Sequence, residues 1–302
     1  MLGRHVCAAL EDAGARVVPV SRNHGRASGM GHWDLTNWLS LTELDELFPG
    51  VQAVVHAGAM VPQSSALISE GPMFDANVRA CVNLGLWCIS RNVPVVHVSG
   101  AITYTEHDRR ELDEDAPTGG SMLGGFYGLS KLLGEDAFGR LRQQGLKLAI
   151  VRPSSLYGFG LPETKMISRF LAMSSAGATI ELIPPVYDRI DFVHAADVAL
   201  AILAILRSEA WETFNIASGC PLSVRELAEA CVSVAGRGNI RVDQGQTPQH
   251  DPITRFALDI GRAKRRLGWQ PQLDIRQGLS MMLRKCVHED RSGLPRQLRQ
   301  GE

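Results

Sequence analysis

Apolar residues recur at helical spacing at the start of the chain, and short apolar runs alternate with helical stretches through its first half. The spacing of Leu2, Val6 and Leu10 predicts a helix that stops at Gly14. Continuous apolar runs predict strands covered on both faces at 16–20, 51–56, 94–99 and 146–152. Helices are predicted between these runs at 41–47, 73–89 and 126–144. Strands that alternate with helices predict an α/β fold with a doubly wound parallel sheet.

The pattern loosens after Pro153, and the predicted elements become shorter. Helices are predicted at 164–175, 198–206, 223–234, 262–267 and 279–287, and strands at 190–194 and 214–216. Ser223 and Glu226 have the spacing of a capping box, which marks the start of one of these helices. The last residues, 288–302, form a polar tail.

Charge and composition exclude several classes of partner. The 302 residues carry a net charge of −1, from 31 Lys and Arg against 32 Asp and Glu, so we expect no nucleic-acid or membrane partner. The chain has no apolar run of roughly 18 residues and no signal-peptide pattern. The six cysteines include no CxxC pair, which favours reduced thiols and a cytoplasmic protein. Without an HExxH motif, we expect His56, His97 and His194 to be structural and no metal to be bound.

Tyr127 and Lys131 carry the most specific local chemistry, in the stretch YGLSK at the start of a predicted helix. Side chains four residues apart share one helical face. An ammonium group beside a phenol favours the phenolate, so we expect Lys131 to lower the pKa of Tyr127. The pair therefore predicts an acid/base that moves a proton on a carbinol or ketone oxygen.

Two predicted strands end in residues suited to a ligand site. One ends in Ser99, and another runs into HAGA at residues 56–59, where small side chains permit close approach of a ligand to the backbone. Ligands bind at the carboxyl ends of the strands in such sheets. We therefore expect both strand ends to lie beside Tyr127 and Lys131.

These motifs and others in the same order resemble the extended short-chain dehydrogenase/reductase family, of the NAD-dependent epimerase/dehydratase type. The resemblance covers about residues 2–285. Its further segments are LGRHV (2–6), DL (34–35), NVRACVNL (77–84), RPSSLYG (152–158), DFVHAADV (191–198), NIASG (215–219) and LGWQP (267–271).

The resemblance implies a Rossmann-like dinucleotide-binding domain at 1–153, without its first strand, and a smaller C-terminal substrate domain at 154–189 and 217–287, with 190–216 returning to the sheet. It implies redox or epimerase chemistry in which Tyr127 moves the proton, Lys131 assists it and Ser99 polarises the substrate oxygen. The cofactor-binding residues implied are Gly3, Ser21, Arg22, Asp34, Leu35, His56, Ala57, Gly58, Asn77, Tyr127, Lys131 and Pro153. Ser155, Arg189 and Arg255 are the candidate substrate-binding residues. A homodimer through the helices near 78–89 and 126–144 is also expected.

The sequence departs from the family pattern at its start and at the catalytic hydroxyl. Family members begin with a strand and a TGxxGxxG loop, of which only Gly3 remains, so we expect about a dozen further residues before Met1 in the natural protein. The intact mass of the protein from its native source tests this expectation. Gly100 stands where the family carries a serine or threonine, which leaves Ser99, or Thr103, for that role.

Cofactor and substrate choice rest on basic residues. Ser21 and Arg22 follow the first predicted strand, where NAD-dependent enzymes place an acid, so NADP is preferred over NAD. The expected substrate is a nucleotide-sugar or a related small molecule. Arginines that grip the pyrophosphate in nucleotide-sugar enzymes are displaced here, which favours one alternative, a ketoreductase for a non-nucleotide small molecule. Gly100 and the missing phosphate loop favour another, a non-catalytic dinucleotide-binding sensor protein.

Overall fold

The computed structural model describes residues 1–22, 30–62, 70–105, 111–119, 124–184, 186–242 and 257–287. The α-helices of these ranges are α1 (Leu2–Asp12), α2 (Leu41–Leu47), α3 (Glu70–Phe74), α4 (Ala80–Arg91), α5 (Gly125–Arg142), α6 (Met166–Ser175), α7 (Ala195–Ser208), α8 (Val224–Ala235), α9 (Gly261–Leu267) and α10 (Ile275–Val287). The strands are β1 (Val20–Ser21), β2 (Gly31–His32), β3 (Val54–His56), β4 (Val95–Val98), β5 (Leu148–Pro153), β6 (Ser155–Tyr157), β7 (Thr179–Leu182), β8 (Arg189–Ile190), β9 (Phe192–His194), β10 (Thr213–Ile216), β11 (Leu222–Ser223) and β12 (Asn239–Val242).

A parallel sheet of four strands forms the centre of the described structure, in the order β10–β5–β4–β3. Val95 of β4 lies opposite Val54 of β3 on one side and Leu148 of β5 on the other. Every residue of β4 and β5 is buried, as their continuous apolar runs predict. The α/β fold with a parallel sheet, predicted from the sequence, is confirmed.

Helices cover both faces of this sheet, because successive side chains of a strand point to opposite sides. Val96 and Val98 belong to a core with Leu2 of α1 and Ile202 of α7. Val95 belongs to the opposite core, which α2, α4 and α5 supply. The sheet is therefore doubly wound, and helices pack against β4 and β5 on both faces. No helix within the described ranges is both long and apolar enough to cross a membrane.

Two short strands, β1 and β2, form a separate parallel pair, with Val20 opposite Gly31. The strand predicted at 16–20 is therefore shorter and lies later in the chain. Gly31 and His32 carry no strand pattern, so β2 was not predicted. Among the described residues, the pair does not join the four-stranded sheet at β3.

The single helix predicted at 73–89 is wrong in one respect, because a wider π-helical turn at Asp75–Arg79 separates α3 from α4. Hydrophobic periodicity does not reveal a single inserted residue, since the apolar face continues after it. The turn carries Asn77, whose side-chain contacts belong to the candidate site.

Part of the chain after Pro153 packs around another core, which includes Tyr157, Leu171, Leu227 and Leu279, whereas α7, β10 and α9 pack in the core of the central sheet. Short strands pair here as β6 with β9, β8 with β11 and β7 with β12. The capping box predicted at Ser223 is present at the start of α8. Of the stretch 190–216, Thr213–Ile216 lies beside β5 in the central sheet, whereas Phe192–His194 pairs with β6.

Candidate active site

Lys131 lies in α5 and is buried against the end of β4. Its Nζ donates a hydrogen bond of 2.8 Å to the Val98 carbonyl oxygen. Helix α5 also packs closely against the π-helical turn, because position 134 is a glycine, where a Cβ would lie only 2.6 Å from the Asn77 carbonyl oxygen. Burial lowers the pKa of Lys131, and the carboxylate of Glu135 acts in the opposite direction. The ammonium is therefore fixed in place by the strand end and not left in solvent.

Tyr127 lies one turn before Lys131 on the same helix and is half-buried. Burial raises the pKa of its phenol. The expectation that Lys131 lowers this pKa is wrong for this structure, because the ammonium is bonded to Val98 and the loss of solvent dominates around the phenol. Tyr127 and Lys131 share one face of α5, as predicted. Proton transfer by the Tyr127 phenol nevertheless needs a further group beside it that lowers its pKa.

Ser99 follows β4 directly and is buried, with 7% of its surface exposed. Its Oγ has no hydrogen-bond partner among the described residues. The Thr103 hydroxyl, in contrast, donates to the Gly100 carbonyl oxygen at 3.0 Å within a short 3₁₀ turn at Ala101–Thr103. A buried hydroxyl without a partner costs free energy, so of these two hydroxyls Ser99 is the one whose hydrogen-bonding capacity is unused among the described residues.

Asn77 joins the loop after β3 to helix α5. Its side-chain amide exchanges two hydrogen bonds with the backbone of Met60, at 2.7 and 3.0 Å, and donates a third to Ser130 Oγ at 2.9 Å. Ser130 Oγ in turn donates to the Tyr127 carbonyl oxygen at 2.8 Å. Asn77 therefore positions both the loop and the tyrosine-bearing turn, and the cofactor contact that the resemblance implies for it stays a prediction.

The turn after β2 contacts the loop after β3, at residues implied to bind the cofactor. A Cβ at Gly58 would lie 2.9 Å from Leu35 Cδ1, so a larger residue would require the Leu35 side chain to shift. The Asp34 carboxylate accepts bonds from the Thr36 amide and hydroxyl, which lower its pKa, and the nearby Arg22 guanidinium acts in the same direction. These residues form one edge of the candidate site.

Other implied cofactor residues lie around the same strand ends. Gly3 is in the first turn of α1, with no atom within 4 Å of where its Cβ would be. Ser21 ends β1, and Pro153 ends β5 and is buried. The His56 ring packs in the interior against Phe138, so any cofactor contact there falls to its backbone and to Ala57.

The candidate substrate residues are dispersed. Ser155 is exposed in β6, and its amide donates to the Asp191 carbonyl oxygen at 2.9 Å. Arg189 donates to the Pro221 carbonyl oxygen and pairs with Glu226 at 3.2 Å, so its guanidinium is already engaged at the start of α8. Arg255 lies outside the described residues.

A buried ion pair below the site was not predicted. Arg152 of β5 meets Glu135 of α5 at 2.6 Å and also donates to the hydroxyl of Tyr104. The Tyr104 hydroxyl donates to Asn215 of β10 at 2.7 Å. These contacts tie α5 to two strands. The spacing of Glu135, four residues after Lys131 on the same helical face, is the signal that could have identified it.

Comparisons with known proteins agree with this arrangement. The sequence profile described as the NAD dependent epimerase/dehydratase family matches residues 1–217. A dTDP-4-dehydro-6-deoxy-D-allose reductase of Streptomyces bikiniensis is 30% identical over 257 residues, which cover 81% of this chain and 77% of the relative.

Solved structures share the fold. A UDP-N-acetylglucosamine 4-epimerase from Bacillus cereus has a TM-score of 0.79 at 24% identity, covering 93% of this chain and 94% of the other. A UDP-glucose 4-epimerase of Thermus thermophilus in complex with NAD has a TM-score of 0.80 at 20% identity, covering 96% of this chain and 97% of the other.

The chain belongs to the NAD dependent epimerase/dehydratase family. Its family and its class of function, an NAD(P)-dependent oxidoreductase or epimerase, are confirmed as the sequence predicts.

Proposed function

We propose that this enzyme transfers hydride reversibly at a carbinol or ketone carbon of a nucleotide-linked sugar, with Tyr127, Lys131 and Ser99 as its catalytic residues. The observation that carries the proposal is the convergence at the end of β4. There the buried Ser99 Oγ without a partner adjoins the strand residue that holds Lys131. A substrate oxygen accepts a hydrogen bond from such a hydroxyl, and Tyr127 exchanges a proton with the same oxygen.

The described residues fit a nicotinamide dinucleotide. Gly3 leaves open space at the first turn of α1, where helix amides favour an anion, and Gly58 permits close packing beside Leu35. The bound cofactor supplies or accepts the hydride. With the cofactor bound, Lys131 would also donate a hydrogen bond to the ribose beside the nicotinamide, and this shared contact would lower the pKa of Tyr127, which burial raises in the free protein.

Arg22 supports NADP as the preferred cofactor. It is exposed immediately after β1, and Asp34 lies within its electrostatic reach. A guanidinium at this position suits a 2′-phosphate, whereas an acid would suit the two free ribose hydroxyls of NAD. Replacement of Arg22 by glutamate is expected to shift the preference toward NAD.

The curated relatives support a nucleotide-linked sugar as the substrate. Several are named as reductases or epimerases of dTDP- or UDP-linked sugars. One observation favours the alternative, a ketoreductase for a non-nucleotide small molecule. Arg189 is bound to Pro221 and Glu226 and would have to leave them to reach a pyrophosphate.

The domain roles, assembly and location are part of the same proposal. Residues 1–153 bind the dinucleotide, and 154–189 with 217–287 bind the substrate. Leu86 of α4 and Leu129 of α5 are exposed, at 40% and 37%, which supports a homodimer through these two helices. The absence of CxxC pairs supports reduced thiols and a cytoplasmic enzyme.

Two measurements separate the candidate functions. In the first, dTDP and UDP are titrated onto the protein with saturating NADPH. Binding of either nucleotide in the micromolar range supports the nucleotide-sugar enzyme, and no binding at millimolar concentration favours the ketoreductase. In the second, NADPH oxidation with dTDP-4-dehydro-6-deoxyglucose and interconversion of UDP-glucose epimers distinguish the reductase from the epimerase. No turnover of any keto substrate despite cofactor binding would contradict the catalytic proposal.

A further inference from the structure

Three potential metal ligands from three separate elements meet below the central sheet. His56 ends β3, His97 lies in β4 and Cys81 lies in α4. The two Nδ1 atoms are 3.0 Å apart, and Cys81 Sγ is 4.0 Å from His56 Nδ1. One ligand atom of each residue lies within 4.8 Å of the others, and all three side chains are buried. We refer to these residues as the His–Cys cluster.

Sequence spacing alone does not reveal the cluster, because its members are 25 and 16 positions apart (81 − 56 and 97 − 81). The register between β3 and β4 places His56 directly opposite His97, so both rings project to the same side of the sheet. Helix α4 crosses that side and brings Cys81 to them. The sequence expectation that His56 and His97 are only structural is therefore open to revision.

The donor set and its dimensions match a small site for a thiophilic ion. Zinc is held at about 2.0–2.1 Å by imidazole nitrogen and about 2.3 Å by thiolate, which sets its ligand atoms about 3.3–3.6 Å apart in a tetrahedron. The observed separations of 3.0 and 4.0 Å need adjustments of a few tenths of an ångström, and the ligand atoms of Cys81 and His97, which lie within 4.8 Å of each other, need to approach by up to about 1.2 Å. Thiolate with imidazole selects Zn²⁺ or Cu⁺ over hard cations such as Mg²⁺.

The two Nδ1 atoms lie at hydrogen-bond distance, so one ring donates to the other when no ion is bound. Nε2 of His56 and Nε2 of His97 are both buried without a partner among the described residues, and an ion on the Nδ1 side of the rings does not reach them. The donors that an ion would bond are therefore the two Nδ1 atoms and the Cys81 Sγ atom.

The charge of the surroundings narrows the choice of ion. Lys131 acts electrostatically on all three residues, so an uncompensated divalent cation would be repelled. One thiolate reduces Zn²⁺ to a single net charge and makes a Cu⁺ site neutral. Three ligands also suffice for Cu⁺, whereas Zn²⁺ takes a fourth. For Zn²⁺, the candidate fourth ligand is the Asn77 carbonyl oxygen, which lies 3.1 Å from Cys81 Sγ.

We propose that His56, Cys81 and His97 form a binding site for one thiophilic d¹⁰ metal ion, Zn²⁺ or Cu⁺, which links β3, β4 and α4. Binding exchanges the thiol proton of Cys81 for the metal–sulfur bond, and the proton leaves to solvent. The ion is structural, since it connects the strand ends and the helix that frame the cofactor site and reaches no substrate.

Metal titration of the purified protein tests this proposal. Chelator-treated protein is titrated with Co²⁺ as the optical reporter for Zn²⁺, and separately with Cu⁺ under anaerobic competition with a chromophoric chelator. We expect one equivalent to bind with a thiolate-to-metal charge-transfer band, and the thermal midpoint to rise. Displacement of bound Co²⁺ by Zn²⁺ would show that the site binds Zn²⁺. Binding of Cu⁺ without binding of Co²⁺ would show that it binds Cu⁺.

Cys88 provides a matched control, because it is buried on the same helix two turns later and belongs to no such cluster among the described residues. Cys81→Ser should abolish the charge-transfer band and weaken binding by more than about 100-fold, since loss of an outer-shell partner alone costs about 10–100-fold, whereas Cys88→Ser should retain both. His97→Gln provides a second variant if Cys81→Ser does not fold. Metal binding that is absent in the parent protein, or unchanged in Cys81→Ser and His97→Gln, overturns the proposal.

Discussion

Lys131 Nζ lies 2.8 Å from the Val98 carbonyl oxygen, at the residue immediately before Ser99. This contact fixes the helix that carries Tyr127 against the strand end that carries the candidate hydroxyl. It also explains why Lys131 does not lower the pKa of Tyr127 in this structure. A change in the surroundings of the phenol, such as a bound ribose that shares the ammonium, is needed to bring Tyr127 into its working range.

Replacement of Tyr127 by phenylalanine should lower turnover by at least about 10²-fold, because general acid/base catalysis typically contributes that much. Cofactor affinity should stay within a few-fold, since the ring remains in place. Steady-state kinetics and NADPH titration of the same sample measure the two effects. Near-normal turnover of Tyr127→Phe would remove this residue from the mechanism.

Ser99→Ala should lower turnover about tenfold or more, because the substrate oxygen loses a hydrogen-bond donor. Ser174 is a suitable control, since its Oγ is also buried without a partner among the described residues but lies on α6. Both alanine variants should fold with little loss of stability, as no hydrogen bond within the described structure is broken. Equal turnover in the two variants would assign Ser99 a structural role only.

Gly134→Ala should destabilise the protein by about 1–3 kcal/mol, because the new methyl group overlaps the Asn77 carbonyl oxygen. Gly139 lies on the same helix with no atom within 4 Å of its Cβ position, so Gly139→Ala should be neutral or stabilise by up to about 1 kcal/mol. Chemical denaturation compares the two. A Gly134→Ala protein as stable as Gly139→Ala would show that α5 is not held this tightly.

Asp197 should make stability fall as the pH rises. Burial raises its pKa from 3.8 to about 6, despite bonds from the backbone amides of Gln272 and Leu273. Between these values the unfolded chain releases the proton and the folded protein keeps it, so its contribution declines by about 3 kcal/mol from pH 4 to pH 7. The difference in unfolding free energy between the parent and Asp197→Asn should shift by that amount across this range.

Asp45 serves as a comparison, because its contribution to stability should increase with rising pH, whereas that of Asp197 should decrease. Hydrogen bonds from Arg91 and Trp87 lower its pKa to about 2, so its contribution is present above pH 4 and is lost as the pH falls through 2. The free energy of unfolding of the parent, relative to that of Asp45→Asn, should therefore increase as the pH rises in the acid range. The same direction of change in both comparisons would contradict the burial assigned to Asp197.

The sequence predicted the central fold well, because β4 and β5 are continuous apolar runs flanked by long helices. It also predicted that Lys131, in the helix that carries Tyr127, lies beside the strand end that carries Ser99, and the bond from Lys131 to Val98 shows this proximity. It could not predict short strands such as β2, whose pairing depends on distant partners and not on side-chain pattern. The π-helical turn at Asp75–Arg79 was missed because one inserted residue leaves the apolar periodicity of the helix unbroken. The Glu135–Arg152 pair was missed because only the spacing of Glu135 from Lys131 points to it, and its partner is distant in the sequence.

Titration of NADPH and NADH onto the protein, followed by fluorescence, tests the central claim most directly. The account predicts saturable binding at one site per chain, with NADPH bound more tightly through Arg22 and the preference lost in Arg22→Glu. Absence of binding by either nucleotide would contradict the assignment of Gly3, Leu35, Gly58 and Lys131 to a cofactor site. The Tyr127–Lys131 pair would then have no catalytic role in this protein.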